Sequence, residues 1–405
     1  MRRAAATIVA VSLSLSACGG HKTASTKITS DTLTIFTSLP LRGDRAPEGR
    51  AVLRGEKLAL DEAGGKAGNL AIGLIALDDT KTKTGRWDPN QVAENARQAV
   101  ENPTTIAYIG DLDSGASAVS VPITNETGIL QVSPLSDYTG LTRPADKGEP
   151  AKYYPSGKRT FARLVPPGVV EARALAGWIS GTGIARAVLA YDGLQEGLGQ
   201  GSEVERALQA AGVDVVDVIR IDPHDDATDV VSDARDIVHS PAPAMVYAGA
   251  STARAIALLR AVHNIDPGEA LYATSGVEGP ELARAMQSAE RQVRLSSPLL
   301  PVANRPPAAG VAAQRYRKLF GTAMPPEALY GYEAMRTVLD AIRRAGQRGN
   351  DRQGVIASYF KTAPTDSVLG SYRIDELGDT SGAEIGGFRV QDGRLRFERS
   401  LNSLH

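Results

Sequence analysis

The stretch "TIAYIGDLDSGASAVSVPI", residues 105–123, sets the architecture of the whole chain. An apolar run over 106–109 breaks at Gly110 into acid, serine and glycine, then resumes as Ala116, Val119 and Val121. That spacing predicts a strand, a tight turn and a helix from about Gly115. A serine at such a turn has three chemistries open to it: nucleophile, anion cradle or helix cap. Ser114 is that serine.

Outward from it the same alternation repeats. Residues 33–36 and 71–77 read as strands, the second ending in Asp78 and Asp79. Residues 49–63 read as a helix closed by Gly64 and Gly65. "NQVAENARQAVE", 90–101, places Val92, Ala96 and Ala99 on one helical face, and 129–132 is a further strand. The period is βαβαβα, which argues for a parallel sheet covered on both faces. After "VPPG", 165–168, the pattern restarts. Helices are expected over 170–180, 201–211, 228–239 and 253–262, with a short one near 281–289. Strands are expected over 187–191, 215–219, 244–247 and 271–273. The fold class is therefore α/β, in two lobes with a cleft between them, and ligands of such sheets sit beyond the carboxyl ends of the strands. A proline-rich link, "PVANRPPAAG" over 301–310, leads to a helix over 330–345. Strand-like pieces follow at 371–374, 387–390 and 395–397, with a hairpin turn at Asp392-Gly393.

Bulk composition narrows the function. A formal net charge of −1 offers no basic footprint for nucleic acid. Aromatic residues at 5% leave few stacking platforms for bases or sugars. The N-terminus says more. Arg2 and Arg3 precede an uncharged run, 4–17, shorter than the roughly 20 residues that span a bilayer. It reads as a signal peptide over 1–17. "LSAC" at 15–18, followed by two glycines, resembles the bacterial lipoprotein signal, in which cleavage precedes a cysteine that is then acylated. Cys18 is the only cysteine of the chain, so it forms no internal disulfide and is best explained as the lipid attachment point. Residues 18–31 then form the anchor and tether of an exported protein held to the outer face of the cell membrane.

No catalytic set emerges. Ser114, with Leu112 and Gly115 as neighbours, is not in Gly-x-Ser-x-Gly. None of His21, His224, His239, His263 and His405 lies in a catalytic motif. "HDD" at 224–226 lacks a second ligand at zinc spacing. "DLDSG" at 111–115 has Pro122 where a calcium loop needs glutamate. "GTGIAR" at 181–186 imitates a dinucleotide fingerprint but precedes a strand. No enzyme activity, metal or cofactor is expected, and Ser114 is left as anion cradle or cap.

The residues also carry a resemblance. "IGDLDSGASAVSVPITNETGILQVSP" is similar to the corresponding segment of leucine/isoleucine/valine-binding proteins, the amino-acid receptors of bacterial ABC importers. So are "LALDEAGGKAGNLAIGLIALDD", "NARQAV", "ALYGYEAM" and "VLGSYRID". The likeness runs from Leu33 to Phe397. It implies a periplasmic-binding-protein fold of the first type, with crossovers near Val165, Ser297 and Asp379. Lobe 1 would hold 32–165 with 297–379, and lobe 2 would hold 166–296 with 380–400. It further implies a small-molecule ligand, amino acid or amino-acid-like, and hinge closure that delivers it to an ABC permease and its ATPase.

By the same likeness, Ser114 and Gly115, helped by Ser117, hold a ligand carboxylate. Free N–H groups at a helix start suit that charge. Leu135, Ser136 and Asp137 form the next contact turn. Four positions depart from the family pattern: Asp137 stands where a hydroxyl is common, and Ser275, with Glu278 three residues on, where a glutamate often meets the ammonium. Glu196 and Ser251 stand where aromatic residues are frequent. Asp137 is expected to supply the charge that Ser275 lacks, in a pocket more polar than an aliphatic side chain wants. The alternatives are a ligand sensor built on the same fold and a secreted serine hydrolase; the last would lose turnover on Ser114→Ala.

Overall fold

A computed structural model describes residues 26–43, 45–80, 87–192, 195–222 and 227–401, apart from the side chains of 195–198 and 227. Cys18, His21, His224 and His405 lie outside the described residues, as does the side chain of Glu196. The first half builds one sheet. Its elements run β1 (Thr32–Leu39), α1 (Ala46–Glu62), β2 (Lys66–Ala67), β3 (Leu70–Asp78), α2 (Pro89–Glu101), β4 (Thr105–Ile109), α3 (Ser114–Glu126), β5 (Leu130–Ser133) and β6 (Phe161–Arg163). Their order in the sheet is β2-β3-β1-β4-β5-β6, parallel except for β2. All five residues of β4 are buried, as a strand covered on both faces requires.

The second sheet takes α4 (Gly168–Gly181), β7 (Arg186–Asp192), α5 (Gln195–Ala210), β8 (Asp214–Ile221), α6 (Ala227–His239), β9 (Ala244–Ala248), α7 (Thr252–Ile265), β10 (Ala270–Ala273), α8 (Pro280–Ala285) and β11 (Val293–Ser297). Helices α9 (Pro307–Phe320), α10 (Pro326–Arg344) and α11 (Arg352–Tyr359) then return to the first sheet. Finally β12 (Ile385–Gln391) and β13 (Arg394–Leu401) complete the second, whose order is β13-β12-β11-β10-β9-β7-β8. The last two strands are antiparallel and joined at Asp392-Gly393, both with positive φ (51° and 66°), the backbone of a tight two-residue hairpin.

Local signals explain most boundaries. Asp88 caps α2, its Oδ1 accepting the N–H groups of Asn90 and Gln91, both at 3.0 Å, with Pro89 at the first helical position. Helix α1 crosses α10 through two glycines. A Cβ on Gly55 would lie 2.0 Å from the Ala328 carbonyl oxygen, and one on Gly331 would lie 2.2 Å from that of Val52. Only glycine lets these backbones meet.

The structure corrects three local expectations. Helix α9 begins inside the proline-rich link, because Pro307 sits at a position where its missing N–H is no loss. Residues 371–374 form no strand; only Ile374 makes a bridge, to Thr380. Their alternation arises because Tyr372 turns inward and donates to Glu333 Oε1 at 2.7 Å. Strand β6, three residues long, gave no periodic signal.

The chain passes between the sheets after β6, after β11 and before β12. Asp379, 2% exposed, fastens the last passage. It accepts from Arg163 Nε at 2.8 Å, Arg143 Nε at 2.5 Å and Thr142 Oγ1 at 2.8 Å. Among the described residues no helix is long and apolar enough to cross a membrane.

Candidate functional site

The turn between β4 and α3 is sewn together by hydroxyls. Ser117 Oγ, fully buried, accepts the Asp111 N–H at 3.1 Å and bonds Ser136 Oγ at 2.7 Å. Ser133 and Ser136 both donate to the Asp111 carbonyl, at 2.7 and 3.1 Å. The Asp111 side chain takes Tyr108 Oη at 3.0 Å and the Ser120 hydroxyl. Burial pushes that carboxyl up to about 6, against the pull of these donors. Ser117 and Ser136 thus fix where α3 begins.

Ser114 does not cap α3. The N-cap is Asp113, whose side chain caps nothing and instead pairs with Arg45 Nη1 at 2.9 Å. The Ser114 hydroxyl reaches the turn after β5: it accepts the N–H groups of Asp137 and Tyr138, each at 3.1 Å, and donates to Asp137 Oδ1 at 2.9 Å. Gly115 is buried in the first turn of α3, and Leu135 packs between two apolar clusters of the first lobe. Asp137, half-buried, has its carboxyl raised by burial, opposed by the bond from Ser114 and by the charge of Arg163.

The second lobe faces Asp137 with more acid. Gln200 Nε2 donates to Asp137 Oδ2 at 3.4 Å, and its Oε1 accepts from Thr274 Oγ1 at 3.2 Å, so one amide bridges both lobes. The Asp137 carbonyl accepts the Gly168 N–H at 2.7 Å, at the head of α4. One turn on, Glu171 takes the Ser275 N–H at 2.8 Å, the Ser275 hydroxyl at 2.5 Å and the Ser296 hydroxyl at 2.6 Å. Ser275 therefore already has a carboxylate partner. Sequence reasoning missed it; the one available signal was a glutamate in the first turn of the mostly apolar α4. Glu203, also missed, lies against Gly168, where a Cβ would come within 2.8 Å of its Oε2. Burial lifts Glu171 and Glu203 to about 7 each, and the charge of Asp137 adds to both shifts.

The remaining positions spread along the cleft. Ser251 opens α7, its N–H held by Asp192 Oδ2 at 2.7 Å. Glu278 accepts from Ser297 Oγ, and burial lifts its carboxyl to about 8. Asp79, just past the end of β3, is fully buried, and among the described residues neither carboxyl oxygen has a hydrogen-bond partner. Burial, then the charges of Asp111 and Asp113, push it up to about 9. Against these acids stands Arg163, whose donors go to Asp379, to Thr142 and to the carbonyls of Ser136 and Tyr138. His239 and His263 lie on α6 and α7, bonded to the Arg235 carbonyl and to Gln292. Among the described residues no group of three or more His, Cys, Asp or Glu is placed to hold a metal ion.

Two sheets joined by three passages, with polar groups meeting at strand ends, have close counterparts among solved structures. The leucine-binding protein of Thermotoga maritima superposes with a TM-score of 0.77 at 22% identity, covering 91% of this chain and 99% of that one. The branched-chain amino acid binding protein of Streptococcus pneumoniae, in complex with isoleucine, gives 0.74 at 17%, covering 92% and 99%. A solute-binding protein of an ABC transporter from R. palustris, in complex with benzoate, gives 0.74 at 17%, covering 92% and 97%. No curated protein matches the chain at a significant level. The family model described as periplasmic binding protein matches residues 32–384. The chain belongs to the periplasmic binding protein family, in its two-lobed type 1 form.

Proposed function

We propose that this protein is the solute receptor of an ABC importer. It takes an amino acid or amino-acid-like small molecule into the cleft between its lobes and hands it to a permease. The observation that carries the reading is the bridge from Asp137 of the first lobe through Gln200 to Thr274 of the second. Polar groups of both lobes converge there at the carboxyl ends of their strands, where a ligand joins the halves and drives hinge closure. Ser114, Gly115, Ser117, Leu135, Ser136 and Asp137 form the first-lobe wall; Glu196, Ser251 and Ser275 belong to the second. Signal cleavage after Ala17 and acylation of Cys18 tether the receptor to the outer face of the membrane, next to its permease.

Reconstitution tests the reading. A cognate ABC permease and ATPase, in proteoliposomes, should hydrolyse ATP faster with receptor and solute together than with either alone. A receptor that binds solute yet leaves hydrolysis at its basal rate would contradict the importer role. Cys18→Ala should release the protein from membranes into the soluble fraction.

A further inference from the structure

A row of arginines crosses the outer half of the second sheet. Parallel pairing sets Tyr272 of β10 beside Arg294 of β11. Antiparallel pairing then sets Arg294 beside Arg389 of β12, and Arg389 beside Arg396 of β13. Residues paired directly across a sheet share a face, and neighbouring strands lie about 4.8 Å apart. Three guanidinium side chains therefore stand abreast, and like charges directly opposite one another cost stability. Among the described residues Arg389 and Arg396, both exposed, have no side-chain hydrogen bond or ion pair. The Arg294 guanidinium lies 6.0 Å from the centre of the Tyr272 ring and reaches the Gln292 carbonyl at 3.5 Å.

Protection of a sheet edge explains part of this row. Strand β13 is the outermost of the sheet, and charged side chains there keep a free edge from pairing with another chain. That need ends at β13. Arg389 and Arg294 sit on strands paired on both sides, where an edge gives no reason for a charge.

A groove of about 310 Å³ opens beside the row, lined by Arg291, Arg294 and Arg389 together with Gln391, Glu290 and Glu398. Its two acids have other partners. Glu290 Oε2 accepts the Asp392 N–H at 3.1 Å, and Glu398 Oε1 lies 3.6 Å from Arg399 Nη2. With Arg396 added, four arginines stand against two glutamates, an excess of two positive charges. A carboxylate would offset one of these charges and fill one guanidinium fork. A phosphate group carries about two charges and three acceptor oxygens, enough to serve several forks at once. The groove is separate from the solute cleft: Arg294 lies toward the amino end of β11, whereas Ser296 and Ser297 at its carboxyl end meet Glu171 and Glu278.

We propose that this groove is a second binding site, which takes a phosphate group between Arg291, Arg294 and Arg389. A free phosphate compound and a phospholipid headgroup present the same chemistry, and the test separates the two sources.

Thermal shift and titration calorimetry are run on the full chain at pH 8 and constant ionic strength, with inorganic phosphate, pyrophosphate and, as the carboxylate control, citrate. Flotation is run with phosphatidylcholine vesicles, with and without phosphatidic acid. The expected result is binding of a soluble phosphate or recruitment by phosphatidic acid, weakened ten-fold or more by Arg389→Gln. Binding of a soluble phosphate assigns a free phosphate compound; recruitment by phosphatidic acid alone assigns a headgroup. Without phosphate, Arg389→Gln should melt no lower than the wild type, because it removes two like-charge pairs, so lost binding is not lost folding. Arg97→Gln, on α2 of the first lobe, makes the same change of charge elsewhere and should bind as the wild type does. Equal binding by the wild type and Arg389→Gln, an equal loss in Arg97→Gln, or citrate binding as tightly as pyrophosphate overturns the proposal. So does a lack of response to every phosphate, and each of these results leaves the importer reading untouched.

Discussion

Glu171 holds Ser275 by two bonds, its Oε1 on the backbone N–H at 2.8 Å and its Oε2 on the hydroxyl at 2.5 Å, although the two residues stand 104 positions apart. The carboxylate that Ser275 was expected to lack is thus supplied by α4. The consequence is a cleft in which Asp137 is one acid among several.

Buried acids make the free protein sensitive to pH. Glu171 and Glu203 titrate near 7 when folded and near 4.5 when unfolded, so the native state holds protons that the unfolded chain has released. Stability then falls as pH rises through that window, by on the order of a few kcal/mol for the pair. Melting temperatures of the free protein between pH 5 and pH 8 should decline, and Glu203→Gln should flatten the slope and melt higher at pH 8. A profile that rises toward pH 8 would contradict the arrangement.

The Arg163–Asp379 pair should govern the hinge. Asp379→Ala leaves a fully buried guanidinium without its counter-charge, a loss of roughly 3–5 kcal/mol. Urea unfolding of this variant should show that loss, whereas Asp375→Ala, at the half-exposed bridge to Arg143, should cost under about 1 kcal/mol. Equal losses would mean that Asp379 is not the anchor.

The α1–α10 crossing predicts a steric effect without any change of charge. Gly331→Val forces a side chain against the Val52 carbonyl and should destabilise by about 1–3 kcal/mol or more, as core overpacking does. Gly310→Val, on α9 with nothing within 4 Å of its Cβ, is the control and should be close to neutral.

Gln200 should act on binding more than on folding. Its contacts to Asp137 and Thr274 are long, so Gln200→Ala should change the melt of the free protein little. Loss of the bridge should weaken solute binding by about 1 kcal/mol, near five-fold, by calorimetry. A large drop in melting temperature with unchanged affinity would place Gln200 in the framework instead.

Much of the fold was legible because burial leaves a clear mark: β4 reads as an apolar run and α2 as a three-residue stripe. Strand β6 was not, since three residues carry no period. Helix α9 was missed as a whole, because it begins in a proline-rich run that reads as a link. At the site, Ser114 and Asp137 were legible as turn residues, but not their mutual bonds, which depend on how the β4 and β5 turns meet. Glu203 was not legible, because nothing local marks a helix glutamate as buried, and the single hint at Glu171, an acid in the first turn of a mostly apolar helix, says nothing of its partners Ser275 and Ser296 far along the chain.

The account stands most directly on Asp137. Calorimetric titration of the wild type and Asp137→Asn, with the solute that gives the largest thermal shift, tests it in one comparison. A ten-fold or greater loss of affinity, with the melt of the free variant unchanged or higher, is the expected result. Equal affinity in the two proteins would contradict a solute site at the cleft wall formed by Ser114 and Asp137.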